Sequence, residues 1–300
     1  MNFTDAQFYA GFFTGLGLLV GAFWAWRLDV RKSPWRGFSI SYGTNLWPWV
    51  FASQISSMLL VIYFLNYTHL FSSGEYGWLP TFITVVGGPP AIMLIYGPSW
   101  ITLITSVLLG SLIAFPIAFW FMTKVVTIFE IPVVGGNVLT MAVLGILMCQ
   151  IFKVLPWIEK KPLPSIENGS SPLSKEERFA EMSRPSWFLR RVLADFSEAQ
   201  FYGNEIAAVF LLIGVIIDFL FNHGYPGYGS GLLPAILLSQ IVGSATGIFL
   251  YFDKYVEQGW YPTFVPVVSA GPTCVLAYGG TLPVALFAGI LGGHNRSTHC

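Results

Sequence analysis

Eight polar side chains set inside apolar stretches of this 300-residue chain are where its chemistry would start. Ser53-Gln54 and Ser239-Gln240 each place a hydroxyl beside an amide within an otherwise apolar run. An amide in such surroundings needs a hydrogen-bond partner. Gln54, Gln240, Ser53 and Ser239 therefore either line a polar cavity, binding a solute through donor and acceptor, or tie neighbouring helices together. Thr81 and Thr263 each follow a proline in a repeated segment, Gly-Trp-x-Pro-Thr-Phe, at 77–82 and 259–264. Proline removes a helix donor and clashes with the turn before it. Pro80 and Pro262 should thus break or kink their helices, as should Pro89, Pro90 and Pro272. Carbonyls freed in hydrocarbon must find partners, and a solute or ion can be one of them. The other reading is a packed kink. Thr81 and Thr263 then bond back to their own helices, while Gly87, Gly88 and Gly271 allow close helix contact. Two acids complete the set. Glu205 and Asp218 are candidate proton- or sodium-coupling groups, as intramembrane acids are by default, although both stand near the ends of their run, where water reaches. Tyr96 and Tyr278, each before a glycine, read as interfacial anchors.

The minor residues exclude other chemistry. Cys149, Cys274 and Cys300 lie far apart and form no CxxC pair, so neither a disulfide framework nor a zinc site is indicated. His69, His223, His294 and His299 include no HExxH, and no Walker A segment is present. No cofactor is expected, and the chain carries no ATPase of its own. A membrane-embedded transferase or protease would need paired acids or a His/Asp/Ser constellation at the membrane face, and none stands out. Fifteen basic and fifteen acidic residues cancel, so no excess of charge points to nucleic acid. Asn66-Tyr67-Thr68 and Asn2-Phe3-Thr4 fit the glycosylation pattern, which short matches often do by chance.

The elements that must position these residues are membrane helices. Hydrophobic residues make up 54% of the chain and charged ones 10%, against about 25% charged in a soluble domain. Apolar runs fall at roughly 8–26, 46–66, 78–97, 99–122, 133–157, 203–222, 230–251, 259–279 and 280–293. The N-terminus lacks the basic start of a signal peptide, so the first run is expected to be retained as a membrane helix. Between the fifth and sixth runs lies the polar stretch 159–198, with seven basic and seven acidic residues. It reads as a solvated connector or a regulatory loop, and Ser174 with Glu176-Glu177 marks a helix start within it. Lysine and arginine stay on the cytoplasmic side. If all nine runs cross and the N-terminus is outside, fourteen of the fifteen basic residues are cytoplasmic and only Lys124 is not. Re-entrant hairpins at 78–97 and 259–279 would instead split the basic residues 6 to 9.

The chain also contains an internal duplication. Phe3-Thr4-Asp5-Ala6-Gln7-Phe8-Tyr9 returns as Phe196-Ser197-Glu198-Ala199-Gln200-Phe201-Tyr202. Tyr42-Gly43, Pro48 and Ser53-Gln54-Ile55 return as Tyr228-Gly229, Pro234 and Ser239-Gln240-Ile241. Over 76–97 against 258–279, 11 of 22 positions are identical without a gap. Glu205 and Asp218 have no acidic counterpart, since Phe12 and Ala25 hold the matching positions. Five spans in the first copy make the second enter the membrane with opposite polarity. Such inverted repeats resemble the general plan of many secondary transporters, whose site lies between the repeats near the midplane.

The expected architecture is all-α, with about nine membrane segments in two inverted-topology repeats of five plus four. Residues 1–158 form the first membrane repeat, 159–198 a cytoplasmic linker, and 199–300 a second repeat lacking its last span. Either the chain is truncated there, or a partner subunit or second copy covers the exposed side. The expected function is that of a permease in the cell membrane. It would carry a small polar or amphipathic solute, with or without ion coupling, at the broken Pro-Thr-Phe helices. The alternatives are a non-catalytic scaffold subunit and a membrane-embedded enzyme such as a transferase.

Overall fold

The computed structural model describes residues 3–65, 80–130, 133–162, 173–221 and 226–294. Asn66-Tyr67-Thr68, His69, Gly77-Trp78-Leu79, His223, His299 and Cys300 lie outside these residues, as does Asn2. All regular structure among the described residues is helical, as hydrocarbon requires of a chain whose backbone groups must pair internally. Among the described residues, five helical stretches are long and apolar enough to cross a membrane: Trp47–Phe64, Trp100–Phe129, Val133–Val154, the stretch that begins with Glu205–Phe221, and Leu233–Leu250. Three shorter apolar stretches, Ile83–Tyr96, Val265–Tyr278 and Leu282–His294, accompany them. At 1.5 Å per residue the short ones reach roughly 20 Å, against a hydrocarbon core of about 30 Å.

The chain divides into two compact units, one of Phe3–Ile40 with the chain from 166 on, the other of residues 41–165. The second unit holds α2 (Trp47–Phe64), α3 (Ile83–Val86), α4 (Gly88–Tyr96), α5 (Trp100–Phe129) and α6 (Val133–Val154). α2 packs on α3, α4 and α5, and α6 closes against α4 and α5. Pro48 sits in the first turn of α2, where its missing N–H has no helical partner to lose.

The first unit holds α1 (Phe12–Val30), α7 (Lys175–Met182), α8 (Pro185–Glu198), α9 (Glu205–Phe221) and α10 (Leu233–Leu250). It continues through α11 (Phe252–Gln258), a 3-10 turn at Val265–Val268, α12 (Ala270–Tyr278) and α13 (Leu282–His294). α1 and α9 are antiparallel: Thr14 meets Asp218, Gly17 meets Phe210, and Gly21 meets Ala207. Their backbones touch. A Cβ on Gly17 would fall 2.3 Å from the Phe210 carbonyl oxygen, and one on Gly214 2.2 Å from that of Phe13. Small residues at a crossing permit this approach.

Matching sequence segments adopt matching local structure. Gln7 and Gln200 exchange amide bonds, Nε2 to Oε1 at 2.7 Å in one direction and 2.8 Å in the other. Gln7 also donates to the Phe196 carbonyl at 2.9 Å and Gln200 to that of Phe3 at 2.6 Å. The two copies of the motif therefore face each other about a local two-fold axis. Phe8 and Phe201 are both left-handed, with φ 70° and 65°, as are Tyr42 and Tyr228, with φ 58° and 53°.

Two expectations need correction in detail. Pro80 and Pro262 lie in non-helical backbone as expected, but the breaks inside the two short apolar stretches fall on residues other than proline. Gly87 breaks the first copy with φ −101° and ψ −133°, and Ser269 the second with φ −140° and ψ −107°. Pro89 and Pro90 open α4 instead, because proline costs nothing where helix donors are free. Nor is the whole of 159–198 a solvated connector. α7 is exposed and starts at Ser174 with the expected cap, a box in which Ser174 Oγ accepts from the Glu177 N–H and the Ser174 N–H donates to Glu177 Oε2. α8, by contrast, buries Trp187, Arg191, Val192 and Ala194 through Glu198 against α9 and α10.

Candidate functional site

A helix break leaves carbonyls without their i+4 donors, and both breaks are repaired in the same way. Gln54 Nε2 donates to the Val85 carbonyl at 2.9 Å, and Gln240 Nε2 to that of Val267 at 2.7 Å. Each acceptor lies two residues before its break. Ser57 Oγ covers Thr84 at 3.0 Å. Gln240 is further engaged, donating to the Gln7 carbonyl at 3.1 Å and accepting from the Tyr9 hydroxyl at 2.5 Å. The glutamines thus strap a broken helix to the span before it. Ser53 and Ser239 turn back on their own helices, to the carbonyls of Val50 at 2.7 Å and Ile236 at 2.8 Å. Thr81 is buried, and its carbonyl accepts from Thr84 Oγ1 at 2.9 Å. Gln54, Ser53 and Thr81 belong to the second unit, while Gln240, Ser239, Thr263, Glu205 and Asp218 belong to the first.

The two acids singled out from the sequence have clear partners. Asp218 caps α1, accepting from the N–H of Phe13 at 3.2 Å, the N–H of Thr14 at 2.7 Å and Thr14 Oγ1 at 2.6 Å. A carboxylate there meets the positive end of the helix. Asp218→Ala should lower unfolding stability by about 2 kcal/mol, the upper range for a lost cap. Asp218→Asn, which still accepts, should lose less than half of that, as chemical unfolding in detergent will measure. Glu205 accepts from the Phe38 N–H at 2.8 Å and from Arg190 Nε at 2.7 Å.

The residues that sequence reading missed form a more unusual group. Arg191, Asp195 and Glu198 stand on one face of α8 and are 4%, 0% and 1% exposed. Arg191 bonds both carboxylates. Asp195 Oδ2 also accepts from Ser244 Oγ of α10 at 2.5 Å, and Oδ1 from Thr263 Oγ1 at 3.2 Å. Tyr255 Oη lies 2.6 Å from Thr263 Oγ1. Since Thr263 donates to the aspartate, Tyr255 must donate to Thr263. Trp260 Nε1 donates to Glu198 Oε1 at 2.6 Å. The walls are aromatic, with Phe38 and Tyr255 5.8 and 5.9 Å from the Arg191 guanidinium carbon. Burial pushes the Asp195 carboxyl up, and Arg191 and the two hydroxyls only partly oppose it. Burial likewise raises the Tyr255 phenol, which keeps its proton.

One arginine faces two acids here, so the cluster carries one surplus negative charge when both are ionised. A helical stripe was the available signal. Trp187, Arg191, Asp195 and Glu198 follow i, i+4, i+8 and i+11, which puts the charges in line with a buried tryptophan. Among the described residues no group of three or more His, Cys, Asp or Glu side chains is placed to hold a metal ion. A cleft of about 460 Å³ lies in the second unit between α2 and α5, with Leu59, Phe64, Trp100 and Ile104 in its walls. Ser56 is its polar contributor, and none of the expected solute ligands lines it. No protein-family model, curated protein or solved structure matches this chain.

Proposed function

We propose that the protein is a permease: a multi-pass protein of the cell membrane that moves a small polar or amphipathic solute by secondary transport. The observation that carries this reading is the matched pair of broken apolar helices, interrupted at Gly87 and Ser269 and strapped by Gln54 and Gln240. Interrupted helices in hydrocarbon are costly, and transporters use the freed backbone groups to bind solute and ions. On this reading the glutamines hold the breaks open, and backbone groups at the breaks take the solute. Thr263 follows the second Gly-Trp-x-Pro and touches Asp195, which supports a link between solute and ion. Nine segments in two inverted repeats remain our topology. The antiparallel packing of α1 on α9, the matching helices of the two copies, supports it.

Reconstituted protein should accumulate solutes from a panel of labelled amino acids, sugars and organic cations above the level of empty liposomes. Uptake equal to empty liposomes across the panel, from protein shown to be folded, would count against transport. It would favour a scaffold role, with which the complete internal pairing of Gln240 also agrees. Topology has its own check. In a background without native cysteines, Ser73→Cys should react with an impermeant label from outside and Ser170→Cys should stay silent. Equal labelling of both would overturn the nine-span arrangement.

A further inference from the structure

We infer that Asp195, in the buried cluster it forms with Arg191, Glu198, Ser244 and Thr263, is a proton-binding site, and that the proton is the ion this protein couples to transport. The coupling half of the inference rests on the permease reading above, whereas the proton site does not. Charge balance is the first argument. Arg191 neutralises one carboxylate, and among the described residues no second cation pairs with the other in the same dry site. Among the described residues, the elements packed on α8 supply none, and Lys254, after α10, is half-exposed and pairs with Glu257. Arg190 is committed to Glu205 at the start of α9. Arg178 of α7 points to the carbonyls of Val256 and Glu257. α10 contributes Ser244, and the segment after it contributes Tyr255, Trp260 and Thr263, all neutral.

Geometry decides between a proton and a metal cation. Ser244 Oγ and Asp195 Oδ2 are 2.5 Å apart, in direct O–H···O contact. Oxygens that share a metal ion are held further apart by it, so the direct contact favours a proton. Asp195, unlike Glu198, is ringed by hydroxyls that can accept as well as donate. A proton on Oδ2 is then given to Ser244 Oγ, which accepts it, and the Arg191–Glu198 pair is left balanced. The bond to Thr263 ties the proton to the segment that leads into the second helix break.

The sign of the pH effect follows from the raised carboxyl. Folding takes up a proton at Asp195, so its contribution to stability is greatest below the unfolded carboxylate value of about 3.9. That contribution declines as pH rises through the folded value. Asp195→Asn, which imitates the protonated acid, should remove this decline.

Infrared spectroscopy of the full chain in lipid nanodiscs tests the site. As pH is raised past the ordinary carboxylate value of about 3.9, the wild type should keep a protonated-carboxyl band that is lost in Asp195→Asn. The band should be retained in Asp218→Asn and Glu205→Gln and shifted in Ser244→Ala. Exchange of potassium for sodium should leave it unmoved. A spectrum unchanged in Asp195→Asn, a band lost in Glu198→Gln instead, or a sodium-dependent band would overturn the inference. An imposed pH gradient across proteoliposomes, with the solute panel above, tests coupling separately. Uptake independent of the gradient would leave a transporter that does not use this proton. The band without any uptake would leave the proton site and remove the transport reading.

Discussion

Arg191→Met should cost the protein about 3–5 kcal/mol of folding stability, the range measured when one partner of a buried ion pair is removed. The reason is the count of charges. With Asp195 holding its proton, removal of the guanidinium leaves Glu198 a buried carboxylate with an indole donor and without its arginine. Glu198 must then take up a proton as well or be exposed by local unfolding, and α8 is the helix that would come away. The expected result is little folded protein after extraction in mild detergent, judged by a monodisperse elution peak. The triple variant Arg191→Met, Asp195→Asn, Glu198→Gln removes the charges together. It should recover most of the loss, because replacing a whole buried ionic group by neutral residues of similar volume is often close to neutral. Failure of the triple variant to improve on the single one would show that α8 depends on the guanidinium's packing beside Phe38 and Tyr255 rather than on charge.

Gln240→Leu is expected to have the next largest effect, a loss of about 2–4 kcal/mol. Three buried groups lose their partner at once: the Tyr9 hydroxyl, the Gln7 carbonyl and the Val267 carbonyl. Each orphaned group costs about 1–3 kcal/mol, and bonds between membrane helices average nearer the low end. The measurement is unfolding of purified protein in detergent, paired with uptake per folded molecule. A strap predicts that stability falls while each folded molecule keeps its activity. A solute ligand predicts the reverse order. Tyr9→Phe removes one bond of the three and should cost about a third as much. Equal losses from Tyr9→Phe and Gln240→Leu would show that the phenol bond is what holds the element.

Much of the architecture was legible because it depends on local apolarity. Each expected apolar run contains helix among the described residues, although 259–279 opens with a non-helical stretch. The capping box at Ser174 was legible for the same reason, since its chemistry lies within four residues. The breaks were legible in existence but misplaced. Proline reads as a breaker from sequence, yet Pro89-Pro90 begins α4 and the disruption falls on Gly87 just before it. The roles of Glu205 and Asp218 were hidden because their partners are far along the chain, Phe38 and Thr14. The ionic cluster was hidden more deeply. Seven acids and seven bases in a proline-rich stretch look solvated. Only the packing of α8 on α9 and α10 takes three of those charges out of water. Burial of a charge is a property of the neighbours, and those neighbours come from Phe38 and from residues 244–263.

The reciprocal bonds between Gln7 and Gln200 join residues 193 positions apart. During synthesis, at roughly 5–20 residues per second, the second glutamine emerges about 10–40 s after the first. Throughout that interval α1 has left the ribosome without α9, its antiparallel companion, and without Asp218 to cap its first turn. Gln240, which receives the Tyr9 hydroxyl, arrives later still. α1 is therefore made well before the partners that seat it. On the membrane reading proposed above, the polar turn around Gln7 then waits at the membrane surface, or in the care of the insertion machinery, until the second half is made.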